Sequence, residues 1–219
     1  SLFSGRYRLA GDLFYKRLYN QIEYGGNIFD VISSSYQLQD NLLHGNGRNY
    51  GFSLMLHKCT GDLTGWVSYT YTNARRKFKE MDPDSSFPAT HERPHELKAV
   101  LMYSPWKHWD FGATAVYASG TPFTLPESIA LINGNILTQY GEYNSNRLRP
   151  YFRTDISVNY KWFSRRVKEH GINLSLYNVS CMNNHLFWKI KVNDDMQFAY
   201  RPVSFVVRIL PSISYYCKF

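Results

Sequence analysis

The 219-residue chain contains no run of eighteen apolar residues, so no membrane-spanning helix is expected. Its longest uncharged stretch beside a strand pattern, Phe111 to Pro126, is interrupted by Gly120 and Pro122. No segment sustains a 3.6-residue period, which argues against amphipathic helices. Cysteine is scarce and odd in number. Cys59, Cys181 and Cys217 are too far apart to suggest a disulfide framework or a zinc site. Charged residues make up only 19% of the chain, with a net charge of +8. The cations are scattered, clustering only at Arg75–Lys79 and Arg165–Lys168, so the concentrated patch that nucleic-acid binding requires is missing. The chain opens on Ser1 without a Met and without a charged-then-apolar leader. Either a signal has been removed or the chain is the tail of something longer.

Aromatic residues are plentiful: 18 Tyr, 14 Phe and 5 Trp, a load that disordered chains do not carry. Period-2 alternation recurs, and it predicts eight main strands at about 5–18, 48–58, 63–74, 95–104, 109–119, 151–162, 171–180 and 204–219. One alternate set in each is uncharged and mostly apolar: Tyr7, Leu9, Gly11, Leu13 and Tyr15 in the first, Tyr50, Phe52, Leu54 and Leu56 in the second. The last strand continues it with Ile213, Tyr215, Cys217 and Phe219. The opposite faces carry Arg8, Asp12, Lys16, Glu96, Lys98, Asp110, Arg153, Asp155, Lys161 and Lys218.

A sandwich also alternates, but it spreads its aromatics through a core. Here Tyr and Trp fall near the ends of the apolar stripes, as in the aromatic girdles of outer-membrane barrels. Connections alternate too. Short links follow strands two, four and six, and long ones of roughly 19–47, 75–94, 120–150 and 181–203 follow the odd strands. The expected fold is an all-β, antiparallel up-and-down transmembrane β-barrel segment of about eight strands, with short periplasmic turns and long extracellular loops. Mild mean hydropathy, −0.40, then reflects strands with one face on lipid and one on a wet lumen.

Several phrases resemble the C-terminal barrel of TonB-dependent outer-membrane receptors. They are Gly47-Arg48-Asn49-Tyr50-Gly51, the run Lys58-Cys59-Thr60-Gly61-Asp62-Leu63-Thr64-Gly65-Trp66, and Tyr117-Ala118-Ser119-Gly120-Thr121-Pro122-Phe123. Asn144-Ser145-Asn146-Arg147-Leu148-Arg149-Pro150-Tyr151 and the ending Leu210-Pro211-Ser212-Ile213-Ser214-Tyr215-Tyr216-Cys217-Lys218-Phe219 complete the likeness, which covers most of the chain from about residue 47. The nearest sub-group carries a carboxypeptidase-regulatory-like domain ahead of the plug. The resemblance implies that residues 1–219 are the C-terminal part of a receptor barrel of 22 strands, without its plug and N-terminal strands. It implies import of a scarce nutrient across the outer membrane of a Gram-negative bacterium, driven through TonB. Implied partners are outer-membrane lipid and lipopolysaccharide, the rest of the barrel, the plug, the TonB complex through an N-terminal region such as a TonB box, and a surface lipoprotein.

Neither an enzyme nor a cofactor is expected. His91 and His95, beside Glu92 and Glu96, have a metal-like spacing, but Pro94 disfavours the helix that would align them. Asp82, Asp84, Glu127 and Glu142 have no nucleophile or His nearby in sequence. Two loops mix rings with hydrogen-bonding groups as ligand pockets do. They offer Tyr140, Tyr143, Arg147 and Trp188 as substrate-contact candidates, with Gln139, Asn144, His185 and Phe187 around them. Tyr215 and the terminal Phe219 match the aromatic-ended last strand of an assembly signal. The rival readings are a complete eight-stranded barrel with an adhesion or structural role, an enzyme on such a barrel, and a soluble carbohydrate-binding β domain.

Overall fold

The computed structural model describes residues 5–24, 42–80, 86–132, 135–165, 167–193, 197–204 and 208–219. Among them there is no helix. In chain order the strands are β1 (Tyr7–Tyr24), β2 (Leu42–Lys58), β3 (Leu63–Phe78), β4 (Phe87–Pro88), β5 (His95–Trp106) and β6 (Trp109–Ala118). Then come β7 (Pro122–Phe123), β8 (Pro126–Ile132), β9 (Asn135–Tyr140), β10 (Asn146–Arg147) and β11 (Tyr151–Trp162). The last four are β12 (Glu169–Tyr177), β13 (His185–Val192), β14 (Phe198–Ser204) and β15 (Leu210–Lys218).

Eight of these form one antiparallel meander in the order β1-β2-β3-β5-β6-β11-β12-β15. Every wall strand pairs with its chain neighbours among the eight. Among the described residues the sheet is not closed: β1 pairs only β2 and β15 pairs only β12. Seven registers carry one apolar face across the sheet. Leu9 faces Leu56, Leu56 faces Val67, Val67 faces Ala99, and Ala99 faces Ala115. Farther along, Ala113 faces Ile156, Ile156 faces Leu176, and Leu174 faces Ile213. The side with the apolar stripe is the one left bare: Leu13 is 87% exposed and Phe219 81%. A sheet that holds its apolar side chains outward is arranged for lipid.

Two aromatic belts bound that face. At the short-turn end, rings touch from Trp106 and Trp109 through Phe111, Tyr160 and Trp162 to His170 and Tyr215; Trp162 and His170 stack at 5.2 Å. At the other end, Phe52, Tyr69, Tyr71 and His95 form the second belt. His95 and Tyr103 stand at the two levels on β5, about 26 Å apart along a strand. Tilted at about 40°, that gives a band about 20 Å tall, close to the apolar height of outer-membrane barrels.

The other face is polar and pairs several of its charges within the wall. Lys161 pairs with Asp110 at 2.7 Å, Arg153 with Asp155 at 3.1 Å, Lys98 with Glu96 at 2.7 Å and Lys218 with Glu169 at 2.8 Å. Asp110 also accepts from Ser104 and Asn159, and Asn159 donates to Tyr216. The lumen-facing charges Arg153, Asp155 and Lys161 thus pair with wall neighbours.

The wall departs from the expected boundaries mainly at its upper rim. β1 continues six residues past the predicted end, through a bulge between Leu18 and Gln21 where Asn20 has φ +51°. The bulge breaks the period-2 pattern, so alternation could not show the extension. The upper part of β2, His44-Gly45-Asn46-Gly47, has weak strand propensity and forms anyway because β1 and β3 flank it. Two expected loops hold hairpins, β8–β9 and β13–β14, and the last predicted strand divides into β14, ending at Ser204, and β15 from Leu210. Gly65, at φ +145°, sits where a Cβ would overlap the Val100 carbonyl, so closeness of β3 and β5 requires it.

Candidate functional site

The described long connections lie at one end of the sheet, and two of them lock together above β3 with the top of β1 beside them. β4 pairs with Arg75 and Arg76, and the Ala89 amide donates to the Ala74 carbonyl at 2.8 Å. The chain then turns Glu92, only 2% exposed, onto the top of β3. One Glu92 carboxylate oxygen accepts the Ala74 amide at 2.8 Å, and the other holds the Arg147 guanidinium. Arg147 also donates to the Gly120 carbonyl at 3.2 Å. The β7–β10 pairing brings Arg147 opposite Pro122, while the Leu148 amide donates to the Thr121 carbonyl. A Cβ at Gly120 would overlap the Leu148 carbonyl, so only glycine permits this crossing.

Asn144 is the second fastener. Its φ of +56° is tolerated because asparagine visits the left-handed region readily. Its amide nitrogen donates to the Pro88 carbonyl at 2.9 Å and to the Thr90 hydroxyl at 3.1 Å. Beside it the Tyr143 ring stands edge-on to Phe87 at 4.8 Å, and Phe87 stacks on the buried Phe78. The Tyr143 hydroxyl donates to Glu23 at the top of β1. Burial and the neighbouring Glu23 carboxylate push the Tyr143 phenol up to about 12.

The sequence-predicted candidates therefore divide. Tyr143 and Arg147 belong to one shelf, engaged with Glu23 and Glu92. Tyr140 closes β9, its Cα in register with Pro126, beside Gln139, which accepts from Ser128 at 2.9 Å. Trp188 lies apart on β13, where its ring meets His185 edge-on at 5.4 Å. Burial, with the nearby Arg149, pushes the His185 imidazole down. Asn184 tethers this hairpin by bonding both backbone groups of Phe152 at 2.9 Å, in the manner of a strand neighbour.

Glu23 and Asn184 escaped the sequence reading, and Glu92 entered it only for its spacing from histidines. In the structure that acidic and histidine cluster disperses. Glu92 turns to Arg147, His95 bonds the Tyr69 hydroxyl at 2.8 Å on the apolar side, and Glu96 pairs with Lys98 on the polar side. No group of three metal-ligating residues forms among the described residues. Asp82 and Asp84 lie outside them, whereas Glu127 and Glu142 are exposed. The chemistry of the shelf is that of a fixed rim: Glu92 is neutralised by Arg147, and Glu23 accepts from Tyr143 and Thr90. Cys217 faces outward opposite His170, and Cys59 follows β2 in a short turn. Tyr215 bonds His170 Nδ1 at 2.6 Å within the lower belt, and Phe219 follows directly on the open-edged β15.

Comparison with known proteins agrees with this architecture. Residues 1–179 match the family model described as TonB dependent receptor-like, beta-barrel. The crystal structure of the ferric-catecholate import receptor Fiu from K12 E. coli, in its closed form, is similar to this chain with a TM-score of 0.57 at 16% identity. That likeness covers 98% of this chain and 26% of the Fiu chain, so this chain spans about a quarter of that receptor's length. No curated protein matches the sequence.

Proposed function

Because the chain belongs to the TonB-dependent receptor β-barrel family, we propose that it is the C-terminal part of the barrel wall of an outer-membrane receptor that imports a scarce nutrient. The observation that supports this reading most is the uncharged face that runs unbroken through seven strand registers and ends at two open edges. Open edges expose unpaired backbone groups, which lipid cannot satisfy. Further strands of the same receptor would pair with β1 and β15, whereas a complete eight-stranded barrel would have joined them to each other. The plug would fill the lumen against the self-paired charges, and TonB would act through residues ahead of this chain. Outer-leaflet lipopolysaccharide and a surface lipoprotein complete the proposed surroundings.

Within that reading the four candidate residues take two roles. Tyr143 and Arg147 hold the extracellular shelf in place, and Tyr140 and Trp188, on the two hairpins β8–β9 and β13–β14, meet the substrate. Tyr215 and Phe219 present the last strand to the assembly machinery.

The test is fractionation of cells expressing the full-length gene product, with growth on limiting nutrient as the readout. Recovery in the outer membrane, heat-modifiable migration in gels and TonB-dependent uptake are expected. A product that stays monomeric in water without detergent would falsify the reading.

A further inference from the structure

The short-turn end of the wall carries cations that the import role does not use. Two of its turns, residues 107–108 and 163–168, contain Lys107, Arg165 and Lys168 among the described residues, and no carboxylate. The first short turn differs, since Asp62 stands there with Lys58 just before it. The two basic turns are joined. The Lys161 amide donates to the His108 carbonyl at 2.8 Å, and His108 Nδ1 lies 2.7 Å from the Lys161 carbonyl. The Lys107 ammonium stands 5.2 Å from the centre of the Phe163 ring, and that ring also meets His108 at 5.8 Å. The Ser164 amide donates to the Val167 carbonyl, which closes the tip of the second turn.

Cations nearby on the strands themselves are matched: Lys161 binds Asp110 and Lys218 binds Glu169. Lys107, Arg165 and Lys168 are exposed, and among the described residues no carboxylate pairs with any of them. They also lie past the lower aromatic belt. Trp106 pairs with Trp109, and Trp162 with His170, so the basic positions fall one to three residues beyond those belt pairs. Belt rings occupy the headgroup level of a bilayer. Three residues of extended chain reach up to about 10 Å farther. The cluster therefore stands on the aqueous side of the belt, at the end where outer-membrane barrels have their periplasmic turns.

We propose that the two joined turns are a docking surface for peptidoglycan, the periplasmic polymer whose stem peptides carry carboxylates. A single exposed ion pair holds little on its own. A polymer with carboxylates on successive stems meets several cations at once, and each further contact is then made within the same complex. The Phe163 ring holds Lys107, and the bonds between the turns hold the backbone, before the polymer arrives. That preorganisation lowers the ordering cost of docking. The proposal rests on the outer-membrane reading above, and it adds a partner at the end of the wall opposite the long loops.

The test is co-sedimentation of the detergent-solubilised full-length receptor with purified peptidoglycan sacculi. Sacculi with amidated carboxylates are the comparison, and phosphatidylglycerol in the same detergent, at equal anionic charge, is the competitor. Native sacculi should bind about tenfold more tightly than amidated ones, the combined effect of three exposed ion pairs. K107Q/R165Q/K168Q should show the same loss, and added salt should weaken native binding. R17Q/R48Q/R75Q removes equal charge from the long-loop end, where Arg48 lies in register with both Arg17 and Arg75. It should bind as the unmodified receptor does. Equal binding of native and amidated sacculi overturns the surface, with no variant needed. A folded K107Q/R165Q/K168Q receptor that sediments as the unmodified one, or an equal loss in R17Q/R48Q/R75Q, overturns it also. Displacement from sacculi by phosphatidylglycerol assigns the turns to lipid headgroups and overturns it too. Recovery of the receptor outside the outer membrane overturns the barrel reading itself, which separates the two failures.

Discussion

Arg147 and Glu92 are 55 residues apart in the chain and form an ion pair in which the Glu92 side chain is 1% exposed. The carboxylate also takes the Ala74 amide, so one buried group ties β3, the turn after β4 and the loop before β11 together. Removing its cation would leave a charge with no solvent to share it.

Arg147→Ala should therefore destabilise the rim by about 2–3 kcal/mol, less than a fully buried pair because Arg147 itself keeps some solvent contact. Asp110→Asn, which opens a wet lumenal pair, should cost about 1 kcal/mol or less. Urea unfolding in vesicles compares the two, and equal costs would show that the shelf is not sealed. Combining Arg147→Ala with Glu92→Gln should recover part of the loss.

The outward and inward faces of one strand should differ sharply in tolerance to charge. Leu54→Arg, on the lipid side of β2, should cost about 2–4 kcal/mol, while its neighbour Ser53→Arg should change stability by about 0.5 kcal/mol. Folding yield into vesicles, followed by heat-modifiable migration, measures both. A reversed order would invert the assignment of faces.

Tyr143 links stability to alkaline pH. Its phenol lies near 12 when folded and near 10 when unfolded, so the folded chain prefers the protonated form. The stability this contributes is complete below pH 10 and is lost as pH rises through about 12. Tyr143→Phe should flatten the dependence in that window, and absorbance at 295 nm of the unmodified protein should show one tyrosine ionising late.

Cysteine labelling reads the topology directly. Cys181 follows β12 at the long-loop end and is exposed, Cys217 lies on the lipid face, and Cys59 sits in a turn at the opposite end. On intact cells a charged, membrane-impermeant maleimide should modify a receptor whose single cysteine is Cys181, and leave those with only Cys59 or Cys217 unmodified. Labelling at Cys59 under those conditions would turn the barrel over.

What the sequence by itself determined is which side of each strand meets lipid. Alternation is local: Leu9, Leu13 and Tyr15 share a face whatever they pair with, because side-chain direction has period two. For the same reason the short and long links were legible, and with them the two ends of the wall. The hairpins β8–β9 and β13–β14 were not, because each is a short local pair whose alternation does not stand out inside a long connection. Nor were Arg147 with Glu92, Asn184 with Phe152, or Arg17 with Arg48 and Arg75. Such neighbours are set by register between strands that are distant in the chain, and only the assembled sheet fixes that register.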